Sequence, residues 1–249
     1  GTNPQVAHFG FRQVDEDEKD TLVASVFRSV AGQYDLMNDL MSLGGHRLWK
    51  DFVISRSGVR AGHKVLDVAT GTADLVRRFA ERVGPDGRVI GVDINAEMLA
   101  VGRSRLVDAG MVQGVELLIA NAEQLPFIEH RFDCVSIAFG LRNVTRIPTA
   151  LQAMTRMLRP GGRMLVLEFS QPRDGPFARW YDHYSFKLIP TLGRVVAGDE
   201  DSYRYLVESI RRHPNQETLK EMMLSAGLED VSYHNLSGGV VALHVGFRY

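Results

Sequence analysis

The chain has 249 residues, 45% of them apolar and 24% charged, the make-up of a globular protein long enough to bury its own core without disulfides or metal. Its 29 basic and 30 acidic residues leave a net charge of -1, without the basic excess of a chain that grips nucleic acid by its phosphates. The single cysteine, Cys134, excludes an intramolecular disulfide and a cysteine-rich zinc site.

The first twenty residues carry no basic-then-apolar signal pattern, and no apolar run reaches the ~18 residues of a membrane span. The expected setting is the cytoplasm, with contact at a membrane surface left open. Val23, Val26, Phe27, Val30 and Tyr34 fall on one face of an amphipathic helix. The segment around Leu36, Met37, Leu40, Met41 and Leu43 adds an adaptable apolar surface. Residues 1–60 are therefore expected to form an N-terminal helical cap.

From Lys64 the pattern alternates. KVLDV, RVIGVD, VELLIA, FDCVSIAF and GRMLVLEF are short β-branched runs, with helical stretches at 72–83, 95–109 and 146–158, the last stopped by Pro160-Gly161-Gly162. Alternating strands and helices predict a parallel sheet covered on both faces. Residues 61–170 form this cofactor-binding α/β core, and 171–215 break the alternation as a helical cap insertion. Residues 216–249 supply a last helix and two strands joined at Ser237-Gly238-Gly239, an antiparallel hairpin that closes a single domain.

Three strand ends carry chemistry. The first runs into a turn of small residues, Ala69-Thr70-Gly71-Thr72-Ala73, flanked by Asp67 and Asp74; the second ends at Asp93; the third at Asn121, Ala122 and Glu123. An acidic residue about twenty positions after the first turn can bond both hydroxyls of a ribose. A dinucleotide fails the spacing, since Gly71 has no partner glycines in the G-x-G-x-x-G pattern and Asp74 would face a phosphate. A ribose-bearing, phosphate-free, positively charged cofactor fits, and S-adenosyl-L-methionine is one. The alternative for Asp74 by itself is an ordinary helix cap.

The chain resembles the ubiquinone/menaquinone biosynthesis C-methyltransferases. The likeness rests on VFRSVAGQYDLMNDLMSLGGHRLWK, FGLRNVT, LRPGGRMLVLEFS, DSYRYLVESIRRHP and GGVVALH, and covers nearly the whole chain. It implies a three-layer, Rossmann-like class I methyltransferase fold, with a mostly parallel seven-stranded sheet and a C-terminal antiparallel hairpin. The family's cofactor positions fall on Thr72, Asp93, Asn121 and Ala122. Thr70 and Ala73 replace two glycines of its loop, and Ala138 stands where a serine is frequent. The implied reaction is methylation of a ring carbon of a reduced polyprenyl benzoquinol or naphthoquinol. Contact with a membrane surface, partners from quinone biosynthesis and a homodimer are compatible with that likeness.

A carbon nucleophile must be electron-rich, so the reduced ring is the expected acceptor and its developing phenolate needs a donor. Arg142, with Asn143 beside it after the fourth strand, is the first candidate, and Tyr34 the second. The alternatives are a salt-bridge arginine and a core tyrosine. Glu168, at the end of the fifth strand, reads as a structural carboxylate. His46, His183, His213 and His244 lack metal-ligand spacing, so no metal is expected, and Cys134 reads as a small core residue. Two other readings stay open: a methyltransferase of another lipophilic molecule, and a cofactor-binding module without catalysis. A nucleic-acid methyltransferase would carry an Asn/Asp-Pro-Pro-Tyr turn where this chain has AFGLRN.

Overall fold

The computed structural model describes residues 6–30, 34–42, 44–172, 175–194 and 198–249. An N-terminal hairpin, β1 (Val6–Phe9) and β2 (Arg12–Asp15), leads into α1 (Glu16–Val30), α2 (Tyr34–Ser42) and α3 (His46–Arg56). The core follows as β3 (Lys64–Val68), α4 (Asp74–Val83), β4 (Arg88–Asp93), α5 (Ala96–Asp108), β5 (Val115–Ile119), β6 (Phe132–Ala138), α6 (Ile147–Met157) and β7 (Leu158–Phe169). Helices α7 (Pro176–His183), α8 (Ile189–Leu192) and α9 (Glu200–Arg212) precede α10 (Gln216–Ser225), β8 (Glu229–Leu236) and β9 (Val241–Phe247).

The seven-stranded sheet has the order β5-β4-β3-β6-β7-β9-β8. Strands β3 to β7 pair in parallel, and β9 runs antiparallel to both β7 and β8. The period of two along each strand feeds two cores. Val65, Cys134 and Leu165 point into one cluster with Phe79 of α4 and Leu99 of α5. Their neighbours Leu66, Val135 and Val166 point into the other, with Met154 of α6 and Met223 of α10. Strands buried on both faces read as continuous apolar runs, which is why KVLDV and GRMLVLEF are visible in the sequence.

Two features differ from the expectation. The hairpin of β1 and β2 was not foreseen, because it is held by a distant helix: Phe9 stacks on Tyr205 of α9 with centroids 4.1 Å apart, and Phe11 donates its N–H to Glu208 at 3.0 Å. Helix α6 also stops earlier, at Met157, since residues ahead of Pro160 disfavour helix. The Pro160-Gly161-Gly162 turn belongs to β7 itself, where Gly161, in the left-handed region, donates to the Arg248 carbonyl. The described part of the 171–215 segment is helical throughout α7 to α9. None of the described helices is long and apolar enough to cross a membrane.

Candidate active site

Chain direction reverses between β3 and β6: β3 continues outward to β4, while β6 lies on its other side. Open α/β sheets leave a crevice at the carboxyl ends of strands at such a point. Here the crevice is a cavity of about 850 Å³, floored by Gly71, Asp93, Asn121 and Ala122 and walled by Phe139, Gly140 and Asn143. Val23, Ala24 and Phe27 of α1 roof it. Helix α1 is tethered there by Lys19 to the Val144 carbonyl at 3.1 Å, by Thr145 to Asp20 at 2.8 Å, and by the pair of Arg146 with Glu16.

The floor is built by bent backbone. Gly71 sits at φ +58° and donates its N–H to Asp93 Oδ2 at 2.8 Å, while Asn95 N–H reaches Oδ1 at 2.8 Å. Each Asp93 oxygen thus has a fixed amide and spare acceptor capacity beside the cavity, the requirement for holding two hydroxyls. Burial raises the Asp93 carboxyl above its usual value, against the pull of those backbone donors. Asn121 accepts from Glu123 N–H at 2.9 Å, which leaves its amide NH2 to a ligand. A Cβ on Gly140 would lie 2.5 Å from that of Ala69, so the loops after β3 and β6 meet only because glycine stands there. Ala69, Ala73 and Phe139 lie in the left-handed region at φ +52°, +64° and +58°. Non-glycine residues pay about 1–2 kcal/mol each for this conformation, which persists where surrounding structure imposes it.

Several candidate residues lie beneath this floor. Asp67 is buried and accepts from Thr70 and from Ser136, both at 2.6 Å, so it ties the loop to β6. Burial pushes its carboxyl up to about 6. Thr72 is buried, its hydroxyl receiving Arg105 at 3.1 Å. Asp74, at the start of α4, is bound by Lys50 at 2.9 Å and Arg78 at 3.2 Å, and these cations hold its carboxyl below the usual range although burial opposes them. Asp67, Thr72 and Asp74 therefore shape the loop and do not line the cavity. Ala138 ends β6, half-buried, outside the lining residues.

Arg142 needs a correction. Its side chain is 2% exposed and points away from the cavity, donating to Glu168 at 2.8 Å, to the Phe139 carbonyl at 2.7 Å and to Ser209 of α9 at 3.2 Å. The guanidinium is spent on holding β7, α9 and the loop after β6 together, which leaves Asn143 as the polar side chain of that loop at the cavity. Asn143 accepts the Tyr205 hydroxyl at 2.9 Å, so its NH2 remains to donate. The helical stripe of α9 in the sequence marks Leu206 and Ile210 and passes over Tyr205, so this partner was missed. The side chains of Val30, Tyr34, Leu40 and Met41, and all of Leu43, lie outside the described residues. No group of three metal-ligating side chains occurs among the described residues. Cys134 is buried in β6, with its thiol pushed far up by burial.

A carboxylate, an exposed loop backbone and an asparagine at three successive strand ends fit the ribose, methionine and adenine parts of S-adenosylmethionine. Fold and site define an S-adenosylmethionine-dependent methyltransferase. Solved structures agree on the fold: a methyltransferase of Aquifex aeolicus aligns with TM-score 0.59 over 80% of this chain and 89% of its own, at 16% identity. A Haemonchus contortus phosphoethanolamine N-methyltransferase, solved with S-adenosylhomocysteine, gives 0.60 over 80% and 52%, also at 16% identity. Residues 13–248 match the ubiE/COQ5 methyltransferase family, and the chain belongs to it. The ubiquinone/menaquinone biosynthesis C-methyltransferases of Pseudomonas fluorescens and Pseudomonas syringae pv. tomato are 57% and 58% identical over 97% of this chain and 94% of theirs.

Proposed function

We propose that the chain methylates a ring carbon of a reduced polyprenyl quinol, 2-polyprenyl-6-methoxy-1,4-benzoquinol or demethylmenaquinol, as its relatives' names describe. The supporting observation is the division of one cavity into a polar floor of Gly71, Asp93 and Asn121 and an apolar roof of Val23, Ala24, Phe27 and Phe139. That division suits a polar cofactor below and a lipophilic ring above.

When bound, S-adenosylmethionine supplies an electrophilic methyl group to an electron-rich ring carbon. Asp93 and Asn121 hold and orient it from the strand ends. Phe139 and Phe27 keep water from the reacting carbon and hold the ring in place, and proximity of this kind supplies up to ~7–11 kcal/mol of a barrier. Asn143, oriented by Tyr205, offers its NH2 to the ring oxygen as negative charge gathers there, and one such donor is worth ~10²–10³ in rate. Arg142 is a positioning residue that fixes the loop carrying Asn143.

The test is an anaerobic assay with methyl-labelled S-adenosylmethionine and either the quinone or the quinol, the product being identified by mass. Labelled ring product is expected from the quinol alone. Equal turnover of both forms, or label on an oxygen, would overturn the reading. Lipids extracted from membranes and offered as acceptors separate the benzoquinol from the naphthoquinol.

A further inference from the structure

The outer face of α7 and the turn that follows it is apolar and open. Phe177, Trp180 and Leu188 are 44%, 52% and 48% exposed, with Tyr184 half-buried between them. Their spacing places them on one side, and the rings stack in series, Phe177 on Trp180 at 6.0 Å and Trp180 on Tyr184 at 5.6 Å. The other side of the same segment is packed: Tyr181, Ser185 and Ile189 are buried against the core. Pro190 has no N–H for the Phe186 carbonyl, and the chain widens to a π turn over Tyr184–Leu188, with Ile189 N–H reaching back to the Tyr184 carbonyl. A segment apolar on both sides is normally buried on both.

Charge identifies what covers the open side. Arg179, His183 and Lys187 recur every four residues along the aromatic row, all exposed, and neither Arg179 nor Lys187 has an ion pair among the described residues. The acidic residue in the row, Asp182, is bound to Arg211 at 2.7 Å. Trp and Tyr settle at the headgroup level of a bilayer, and Lys and Arg beside them bind anionic headgroups. A two-fold contact between copies of this chain would instead set two cationic rows against each other. We propose that this face docks the protein on an anionic phospholipid surface. Its use, delivery of a bilayer-dissolved acceptor, rests on the quinol reading; the docking itself does not.

The full chain is mixed with quinol-free vesicles of phosphatidylcholine alone or with phosphatidylglycerol. Trp180 is one of two tryptophans, and Trp49 is only 5% exposed, so Trp180 dominates any change in emission. A blue shift and quenching by brominated acyl chains are expected with anionic vesicles, both weakened by salt. Arg179→Glu and Lys187→Glu should each lower vesicle partitioning by ~5-fold or more, and Trp180→Ser should lower it too, with turnover of a short-chain, water-soluble quinol unchanged. Unshifted emission, or variants that partition like the parent, would overturn the proposal. So would a dimer in sedimentation that Trp180→Ser dissociates while vesicles leave emission unchanged, which would assign the face to a second copy. Docking without quinol turnover would sink the quinol reading and leave the docking standing; turnover without docking would do the reverse.

Discussion

The two halves of the sheet spend their strand-end charges differently. At β4 and β5 the polar groups, Asp93 and Asn121, are pinned by neighbouring backbone amides and keep acceptor or donor capacity toward the cavity. At β6 and β7 the charges are spent on one another: Arg142 and Glu168, each 2% exposed, close an ion pair that Ser209 and the amide of Phe169 complete. Backbone amides can orient a carboxylate without neutralising it, whereas a guanidinium neutralises it outright. One half of the rim is therefore suited to binding and the other to holding the cap in register.

The largest expected effect lies in the second half. Glu168→Ala leaves Arg142 buried without its partner and should lower the stability to denaturant by about 3–5 kcal/mol. If Arg142→Ala instead keeps full stability and loses only the methylation rate, by ~10²-fold, the contrast fails and the guanidinium acts on substrate.

Beneath the first half, Asp67 gives a pH signature. Its carboxyl is held up to about 6 by burial, while in the unfolded chain it titrates near 3.8. Between about pH 4 and pH 6 the folded chain retains a proton that the unfolded chain has released, so this group's contribution to stability is full below pH 4 and declines as pH rises through 6. The loss is on the order of 3 kcal/mol. Denaturation of Asp67→Asn across that range should show this decline removed; an unchanged slope assigns it to other groups.

Cofactor binding sharpens the contrast. Asp93→Ala should weaken the affinity for S-adenosylmethionine by about 1.5–3 kcal/mol in calorimetry, the worth of hydrogen bonds to a charged group. An unaltered Kd would take Asp93 out of the floor. The smallest effect belongs to Tyr205→Phe, which frees the Asn143 amide. Single-turnover methylation should slow by roughly 2–10-fold, from ~0.5–1.5 kcal/mol, with cofactor affinity retained.

The contrast also separates what the sequence discloses from what it conceals. The α/β alternation, the closing hairpin and Asp93 are legible because local pattern decides them: a buried strand is apolar throughout, and its end is marked where a Gly or Asp interrupts it. The positions of Asp93 and Asn121 follow from counting along successive strands. Arg142 is opaque for the opposite reason. Its partners Glu168 and Ser209 lie 26 and 67 residues away, and no local pattern tells an arginine aimed at a ligand from one aimed at the core. Lys50, which binds Asp74 from 24 residues upstream, and α9, which holds β1 and β2, hide in the same way.

Helix α1 closes the cavity with modest means: two buried valines, Val23 and Val26, and tethers such as Thr145 to Asp20 and Arg146 to Glu16 that lie near the surface. Exposed pairs of this kind contribute ~0–1 kcal/mol each. Its detachment is thus a local fluctuation far below the free energy of unfolding the sheet. Amide protons of α1 will exchange with deuterium well ahead of those of β3 or β6. Because the same helix roofs the floor residues, the rate at which spent cofactor escapes is governed by that breathing and quickens as electrolyte screens its tethers.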